Sequence, residues 1–407
     1  MILHTPVLTR ESNEIWISAR IELETQLPNF PAEVWYRFPE KFEAMLEPRT
    51  DAFAATALLI AMYTGEDLEI RGSFSQKLAY SLNEYRNIFH SMLPELYEMI
   101  EIKFKQLDTT PPEKRGYAVA TAFSGGVDSF YTLWSHLPEN QPITPLCVPH
   151  GLFVRGLDMR LDDIENHQRL VEVYSKIFDD LALNFISAST NVYQLSEFRI
   201  NWIYFFGPPL IGAALLLSPF LQRFYIPAGM TYSDLIPHGS SPLIDHLLST
   251  ENIDIVHHGS STSRFDKLKV LTNWPITYHH LRVCAERNRV KGIQNCSTCH
   301  KCYRTIASLE LLNSLPAYQN FSGRLSVGAY IRWGFLTHLY PHQANDLSQR
   351  ALKSGRISMA FMIQIAILFN IIRNFIIYAV KLFLSPKQIY WLKRKIYQPE
   401  VSGVKTT

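Results

Sequence analysis

The sequence predicts an α/β protein with a doubly wound parallel sheet, preceded by a smaller N-terminal α/β domain and followed by an apolar C-terminal helix. From Gly116 onward, short apolar runs alternate with helical segments, which favours parallel strands joined by crossover helices. The runs are apolar throughout, as is typical of strands covered on both faces. A long apolar stretch near the end predicts the terminal helix. We expect domains at 1–110, 116–315 and 316–407.

Composition agrees with a chain of several domains. The chain has 407 residues, of which 47% are hydrophobic, so it can bury more than one core. The net charge of +2 is spread along the sequence and gives no strong nucleic-acid signal. Residues 2–20 mix polar and apolar side chains and lack the pattern of a secretory signal. We therefore expect a cytoplasmic protein.

The N-terminal segment, residues 1–110, contains stretches with the apolar pattern of strands and stretches with that of helices. Predicted strands and helices follow one another along it, and a polar, proline-containing break at 109–114 separates it from the next domain. The predicted strands are Trp16–Leu23, Ala32–Tyr36 and Leu68–Arg71, and the predicted helices are Ala52–Tyr63 and Ser75–Leu93.

The central segment has the composition of a buried parallel sheet. Its apolar runs are short and are separated by stretches with helical periodicity. The predicted strands are Tyr117–Phe123, Ile143–Val148, Leu183–Ala188, Phe224–Pro227 and Asp254–His257, and helices are predicted at Ser129–Ser135 and Asp162–Ile177.

A glycine-rich loop joins the first of these strands to the first helix. Its residues are Ser124, Gly125, Gly126, Val127, Asp128 and Ser129. The first N–H groups of a helix have no intrahelical partner and lie at the positive end of its dipole, so they bind anions. Gly125 and Gly126 let the backbone approach phosphate closely, and the two serines add hydroxyl donors. Asp128 beside a phosphate needs a compensating cation, for which Mg²⁺ is the simplest choice.

A serine-capped helix start after a turn is the structural alternative for this loop. The segment Phe123–Ser129 nevertheless resembles the signature of the PP-loop ATP pyrophosphatases, which cleave ATP between its α- and β-phosphates. No Gly-Lys-Ser/Thr follows, so the Walker pattern does not match. The resemblance implies a PP-loop fold, bound ATP and an adenylated substrate.

Four of the five cysteines lie between positions 284 and 302. Cys296, Cys299 and Cys302 have C-x2-C-x2-C spacing, and Cys284 precedes them. In a reducing compartment this clustering favours metal ligands, and four sulfurs suit a closed structural Zn²⁺ site. An iron–sulfur cluster is an alternative, although Ile306 stands where a further cysteine is usual. His300 is an alternative ligand to Cys284.

The order of these features resembles the 7-cyano-7-deazaguanine synthase group of PP-loop enzymes over residues 116–310. The segment from Cys284 to Arg304 is similar to the zinc segment of that group. Ser263–Lys267 is similar to the segment in which the family has a lysine that contacts the triphosphate. Those enzymes adenylate a carboxylate and add ammonia. The longer spacing between Cys284 and Cys296, and Ser297 in place of glycine, predict a different acceptor here.

Three further residues are candidates for the site. Lys267 would stabilise charge on the departing pyrophosphate. Gly229 follows a strand at the ligand-binding edge of the sheet and is expected to contact the nucleotide. Arg304 is expected to reach either a phosphate or a helix end. Together they predict an ATP-dependent ligase that joins ammonia or an amine to a small-molecule or peptide acceptor.

Two other functions stay open at this point. ATP-dependent sulfur transfer to a nucleobase would need a persulfide-forming cysteine near the loop, for which Cys147 is the candidate outside the cluster. A non-catalytic ATP-binding module of a larger assembly would bind nucleotide without releasing pyrophosphate. Measuring pyrophosphate release separates these functions.

The C-terminal stretch 357–380 contains 24 residues and a single charge, Arg373. Basic residues flank it on both sides, at 353, 356, 381, 387 and 393–395. Its length suits a membrane span, and its flanks with Tyr390 and Trp391 also suit an interfacial helix. Packing against the sheet or against a second copy of the chain is the alternative. The sequence thus predicts membrane contact through 357–397 or a homo-oligomer.

Overall fold

The structure is a computed structural model and describes residues 1–109, 116–197, 199–284, 292–336 and 341–383. The chain divides into two compact units. The first unit is Met1–Asn295 with Ala317–Asn320, and the second is Cys296–Pro316 with the residues from Phe321 onward. The predicted break at 109–114 lies, apart from Thr109, outside the described residues.

The described part of the first unit contains a mixed sheet that is mostly parallel. Its strands are β1 (Ile2–Leu3), β2 (Val7–Glu11), β3 (Glu14–Glu22), β4 (Glu33–Pro39), β5 (Leu68–Phe74), β6 (Ile102–Leu107), β7 (Ala118–Ala122), β8 (His150–Arg155), β9 (Asn184–Thr190), β10 (Leu221–Pro227) and β11 (Asp254–His258). Its helices are α1 (Asp51–Thr64), α2 (Gln76–Met92), α3 (Val127–Ser135), α4 (Ile164–Asp180), α5 (Tyr193–Ser196), α6 (Gly207–Leu215), α7 (Arg264–Leu271) and α8 (Ile276–His280). The predicted α/β class is confirmed.

Strands β7 to β11 form the parallel part of the sheet, in the order β11-β10-β7-β8-β9. All five residues of β7 are buried, as expected for a central strand covered on both faces. The strand order reverses between β7 and β10, because β8 and β9 continue on one side and β11 on the other. Open α/β sheets bind ligands at the carboxyl ends of strands at such a switch point. The loop that follows β7 begins there.

The N-terminal strands belong to the same sheet as the parallel strands. β4 pairs antiparallel with β9, in the register Tyr36↔Thr190 and Arg37↔Ser189. The Thr190 hydroxyl donates to the Trp35 carbonyl at 2.8 Å, and the Trp35 N–H donates to Asn191 Oδ1 at 2.9 Å. These bonds cover the edge of β9 that would otherwise stay unpaired. Residues on both sides of position 110 share one compact unit. The three domains at 1–110, 116–315 and 316–407 stay a prediction.

One predicted strand is wrong. Residues 143–148 contain a short 3-10 turn at Thr144–Leu146, and the strand begins later, at His150. Pro145 and Pro149 explain the shift, because proline supplies no N–H to a sheet ladder. The other predicted strands and helices overlap observed ones. In this unit β1, β2, β6, α5, α6, α7 and α8 had no predicted counterpart.

The described part of the second unit is helical. Its helices are α9 (His300–Leu311), α10 (Val327–Phe335), α11 (Pro341–Lys353) and α12 (Ile357–Phe383). α12 packs along α10 and α11. Gly334 of α10 allows close approach, since a Cβ there would lie 2.5 Å from the Ala366 carbonyl oxygen. Asn370, which is 1% exposed, donates to the carbonyls of Gly334 and Leu336. The predicted apolar C-terminal helix is confirmed, and the predicted membrane anchors Tyr390 and Trp391 lie outside the described residues.

Candidate nucleotide site and cysteine cluster

The glycine loop lies between β7 and α3, at the carboxyl edge of the parallel strands. Ser124 is exposed, and Gly125 has φ +74°, a left-handed conformation that glycine adopts without strain. Gly126 has φ −83° and ψ 171° and precedes the first residue of α3. Among the described residues no side chain caps this helix start. The loop therefore has the strand–turn–helix context that a phosphate site requires.

Two contacts hold the loop backbone in place. The Tyr174 hydroxyl donates to the Ser124 carbonyl at 2.8 Å, and the Arg282 backbone N–H donates to the Gly125 carbonyl at 2.7 Å. Burial raises the pKa of Tyr174 to about 12, which keeps its hydroxyl protonated as a donor. A Cβ on Gly125 would lie 2.5 Å from the Tyr174 hydroxyl oxygen. The loop is thus fixed before any ligand binds.

Asp128, in the first turn of α3, contacts two cationic side chains. Its Oδ1 accepts from Lys267 Nζ at 3.3 Å, and its Oδ2 accepts from Arg264 Nη1. The positive charge that Mg²⁺ was predicted to supply beside Asp128 is provided here by these two side chains of α7. The prediction that Asp128 holds Mg²⁺ stays a prediction.

Lys267 is almost completely buried, with 2% of its side chain exposed. Besides Asp128, its Nζ contacts the carbonyl oxygen of Ala228, to which it donates at 2.6 Å. Ala228 directly follows β10, so the ammonium group is held at the edge where β7 and β10 end. Gly259, with φ +98°, adjoins this ammonium group, since a Cβ there would lie 3.3 Å from Nζ. A buried cation at the switch point is suited to neutralising a bound polyphosphate.

His258, the last residue of β11, is held neutral near this lysine. Its Nδ1 lies 3.1 Å from Thr132 Oγ1, and its ring packs edge to face against His136, with the ring centroids 4.5 Å apart. Burial first, and then the charge of His136, lower the pKa of His258 to about 3. With His258 uncharged, Lys267 supplies the positive charge at this position.

The depressed pKa of His258 predicts acid sensitivity of the fold. The pKa of His258 is about 3 in the folded chain and near 6.5 in the unfolded chain. At a pH between these values, His258 is protonated in the unfolded chain and neutral in the folded chain. Stability should therefore fall as pH is lowered through this window. We expect His258→Gln to weaken this fall, measured as the midpoint of thermal unfolding at pH 4 to 7. An unchanged pH profile would contradict the neutral assignment of His258.

The remaining predicted nucleotide ligands occupy different environments. Val127 is fully buried, and the Ser129 hydroxyl donates to the Gly126 carbonyl at 3.0 Å within the loop. Gly229 follows β10 and is exposed, and a Cβ there would meet nothing within 4 Å. Arg304 lies in the second unit, on α9, where it donates to Gln343 Oε1. The loop, Lys267 and Gly229 thus lie on the first unit.

Three of the predicted metal ligands form a cluster in the second unit. The sulfur atoms of Cys296, Cys299 and Cys302 all lie within 4.8 Å of one another, and those of Cys296 and Cys302 are 3.8 Å apart. The N–H groups of Thr298 and Cys299 point at Cys296 Sγ, at 3.4 and 3.3 Å. Zn–S bonds of about 2.3 Å in a tetrahedron put sulfurs about 3.8 Å apart. The cluster can therefore hold a metal ion such as zinc.

Cys284, the fourth predicted ligand, lies in the first unit. Asn295 Oδ1 accepts from the N–H groups of Val283 and Cys284, at 2.8 and 3.1 Å. The Asn295 amide also donates to the Leu281 carbonyl at 2.9 Å. Asn295 directly precedes Cys296, the first residue of the cysteine motif. The Asn295 side chain therefore fixes the backbone around Cys284 next to the start of that motif.

Cys147 lies at the opposite edge of the sheet from the glycine loop. It precedes β8, which runs parallel to β7, and its Sγ lies 3.8 Å from the Gln141 carbonyl oxygen. Residues before a parallel strand lie at the amino edge of the sheet, whereas the loop after β7 lies at the carboxyl edge. The sulfur carrier that a thiolation enzyme would need is therefore not supplied at the loop by this residue.

Two residues of the site had not been assigned a role from the sequence. Arg264 binds Asp128, and its signal was its position three residues before Lys267, which places both on one face of a helix. Tyr174 holds the loop from α4, a contact between residues 50 positions apart that no local pattern reports. No family model, curated protein or solved structure matches this chain. Its function must therefore be inferred from the residues of the site.

Proposed function

We propose that the chain is an ATP-dependent ligase of the PP-loop type. It adenylates a carboxylate-type substrate, releases pyrophosphate, and transfers the activated acyl group to ammonia or an amine. The observation that supports this best is the buried ammonium group of Lys267 next to a fixed glycine loop at the switch point of the sheet. Backbone N–H groups and a buried cation lie together at the carboxyl edge of the sheet. Both attract the negative charge of a polyphosphate.

In the first step a carboxylate oxygen attacks the α-phosphorus of ATP. The bond from the α-phosphorus to its bridging oxygen breaks, and pyrophosphate leaves with the electron pair. Lys267 stabilises the charge on the departing oxygens, and Asp128 with Arg264 holds the lysine in position. In the second step the nitrogen nucleophile attacks the acyl carbon, AMP leaves, and the nitrogen loses a proton.

Zinc has a structural role in this proposal. Cys284, Cys296, Cys299 and Cys302 would supply four sulfur ligands, which leaves no open position for water. The support is the geometry of the three clustered sulfurs and the attachment of the Cys284 backbone to Asn295. Mg²⁺ would enter with the phosphates of ATP. A cytoplasmic location supplies the ATP and keeps the thiols reduced.

Nitrogen transfer is favoured over sulfur transfer by the position of Cys147. The proposal is tested by incubating the protein with Mg-ATP, a panel of carboxylic acids and ammonium, and measuring pyrophosphate and AMP. We expect both products to form in equal amounts, with an amide as the third product. ATP binding without any pyrophosphate release would support a non-catalytic module and contradict the ligase.

Gly126→Ala tests the loop without disturbing the fold. Its φ suits any residue, and the nearest contact of a new Cβ would be Ser124 Oγ at 3.4 Å. The methyl group would, however, occupy space at the start of α3 that a phosphate needs. We expect the affinity for an α,β-methylene analogue of ATP to fall by at least about tenfold, or 1.4 kcal/mol, in a calorimetric titration.

Gly328→Ala is the matched control, because Gly328 is an exposed helical glycine in α10 with only Ser326 Oγ, at 3.9 Å, near its Cβ position. It should bind the analogue as the unmodified chain does. Equal affinity for Gly126→Ala and the unmodified chain would contradict the placement of the phosphates at this loop.

A further inference from the structure

Helix α12 has two unlike faces from Ile357 to Asn370, and from Ile371 to Tyr378 it is largely exposed all round. Its inner face contacts α10 and α11, and is buried at Met359, Ile363, Ala366 and Asn370. These positions are spaced by three or four residues, as expected for one side of a helix. The helix is therefore a packed part of its unit and does not stand alone.

The opposite face of α12 is exposed and apolar. Phe361 is 64% exposed and Phe375 is 71% exposed, and both lie on a stripe that winds along the helix at spacings of three, four and seven residues. The members of this apolar stripe are Ile357, Phe361, Leu368, Ile371, Ile372, Phe375 and Ile376. Ile357–Ala379 is long and apolar enough to cross a membrane, and 22% of an 18-residue window within it is buried. So large a continuous apolar surface marks an interaction site.

The helix cannot cross a bilayer while it keeps its packing. α11 runs alongside it, and Gln364 of α12 donates to Asn345 Oδ1 and Ser348 Oγ of α11, both at 3.0 Å. The outer side of α11 contains Asp346, which pairs with Arg350 at 2.8 Å. A spanning α12 would draw this ion pair into hydrocarbon, at a cost of several kcal/mol.

A second copy of the chain is a poor match for the stripe. Basic residues flank α12 at both ends, with Lys353 and Arg356 before it and Lys381 and Lys387 in the sequence at its end. Parallel and antiparallel pairing of two such helices would each bring like charges together. Anionic lipid headgroups, in contrast, attract basic flanks, at about 1 kcal/mol for each residue near the surface.

We propose that α12 docks the protein on an anionic membrane, lying flat in the interface with its apolar stripe toward the acyl chains. The buried face stays packed on α10 and α11, and Lys353 and Arg356 before the helix contact headgroups. Interfacial helices bury one apolar face to a depth of about 5–10 Å. Between Ile357 and Asn370 the side of α12 opposite its packed face is free for such burial.

Vesicle flotation of the full chain tests the docking. We expect the protein to float with vesicles of phosphatidylcholine and phosphatidylserine, less with phosphatidylcholine alone, and less at high salt. Phe361→Glu and Phe375→Glu should each lower the floating fraction by about tenfold or more, since each removes the burial of an aromatic side chain. Tyr80→Glu, at an aromatic residue 85% exposed on α2, is the matched control and should float normally.

Protease treatment distinguishes a flat helix from a spanning one. A tag added at the C-terminus should stay outside the vesicles and be cleaved by added protease, whereas a spanning helix would protect it. Sedimentation of the protein without lipid tests whether the apolar stripe binds a second copy of the chain instead. A dimer that Phe375→Glu converts to a monomer, with no flotation of the unmodified chain, would overturn the proposal. Circular dichroism of each variant verifies that the fold is retained.

Discussion

Replacing Lys267 by methionine should lower the rate of pyrophosphate release by about 10²–10³-fold. The ammonium group is 2% exposed and is held by Asp128 and the Ala228 carbonyl, so its charge acts in a site that excludes water. Methionine keeps the volume of the side chain and removes the charge. The rate is measured with saturating Mg-ATP, an accepted carboxylate and ammonium. Binding of ATP should weaken less than the rate falls, because charge on the leaving pyrophosphate grows in the transition state.

Lys269→Met is the matched control for this experiment. Lys269 is exposed on the same helix two residues away, and its replacement should leave the rate within about twofold of the unmodified chain. If Lys267→Met and Lys269→Met are equally active, the buried lysine does not act on the phosphates. Thermal unfolding of both variants shows whether the fold is intact.

Replacing Cys302 by serine should remove bound zinc and destabilise the second unit. Cys302 is fully buried at the start of α9, and its sulfur lies 3.8 Å from that of Cys296. Structural zinc contributes about 10–16 kcal/mol of apparent binding free energy at neutral pH, so its loss is among the largest effects of a single substitution. We expect the metal content to fall from about one zinc per chain toward none, and α9 to lose protection from hydrogen exchange.

Cys147→Ser is the control for the cysteine cluster, because Cys147 lies at the amino edge of the sheet in the first unit. It should keep its zinc and its stability. Cys284→Ser tests the fourth ligand and should lower zinc affinity as Cys302→Ser does. Visible absorption by the purified protein would indicate an iron–sulfur cluster and contradict the zinc assignment. Unchanged zinc content in Cys302→Ser would contradict the site itself.

Strongly periodic segments could be predicted from the sequence, and pairings between distant segments could not. The helix predicted at Ala52–Tyr63 is observed at Asp51–Thr64, where it is buried at almost every position. The pairing of β4 with β9 could not be predicted, because hydrogen bonds between strands about 150 residues apart leave no local pattern.

In the candidate site, too, local features could be predicted and tertiary contacts could not. The glycine loop was predicted from its place between an apolar strand and a helix, and the structure shows it there with Gly125 in the left-handed region. The environment of Asp128 was predicted only in part. A need for positive charge was evident, but its supply by Arg264 and Lys267 depends on α7 packing beside α3, which is a tertiary contact. The misplaced strand at 143–148 shows that prolines outweigh an apolar run.

The pairing of β4 with β9 affects how the chain folds during synthesis on the ribosome. Tyr36 leaves the exit tunnel long before Thr190, its partner in the sheet. At about 5–20 residues per second, the N-terminal strands wait roughly 8–30 s for that partner. During this interval the edge of β4 that later pairs with β9 stays unpaired, which is the kind of surface that chaperones bind. The nascent chain should therefore depend on a holding chaperone until residue 190 has emerged.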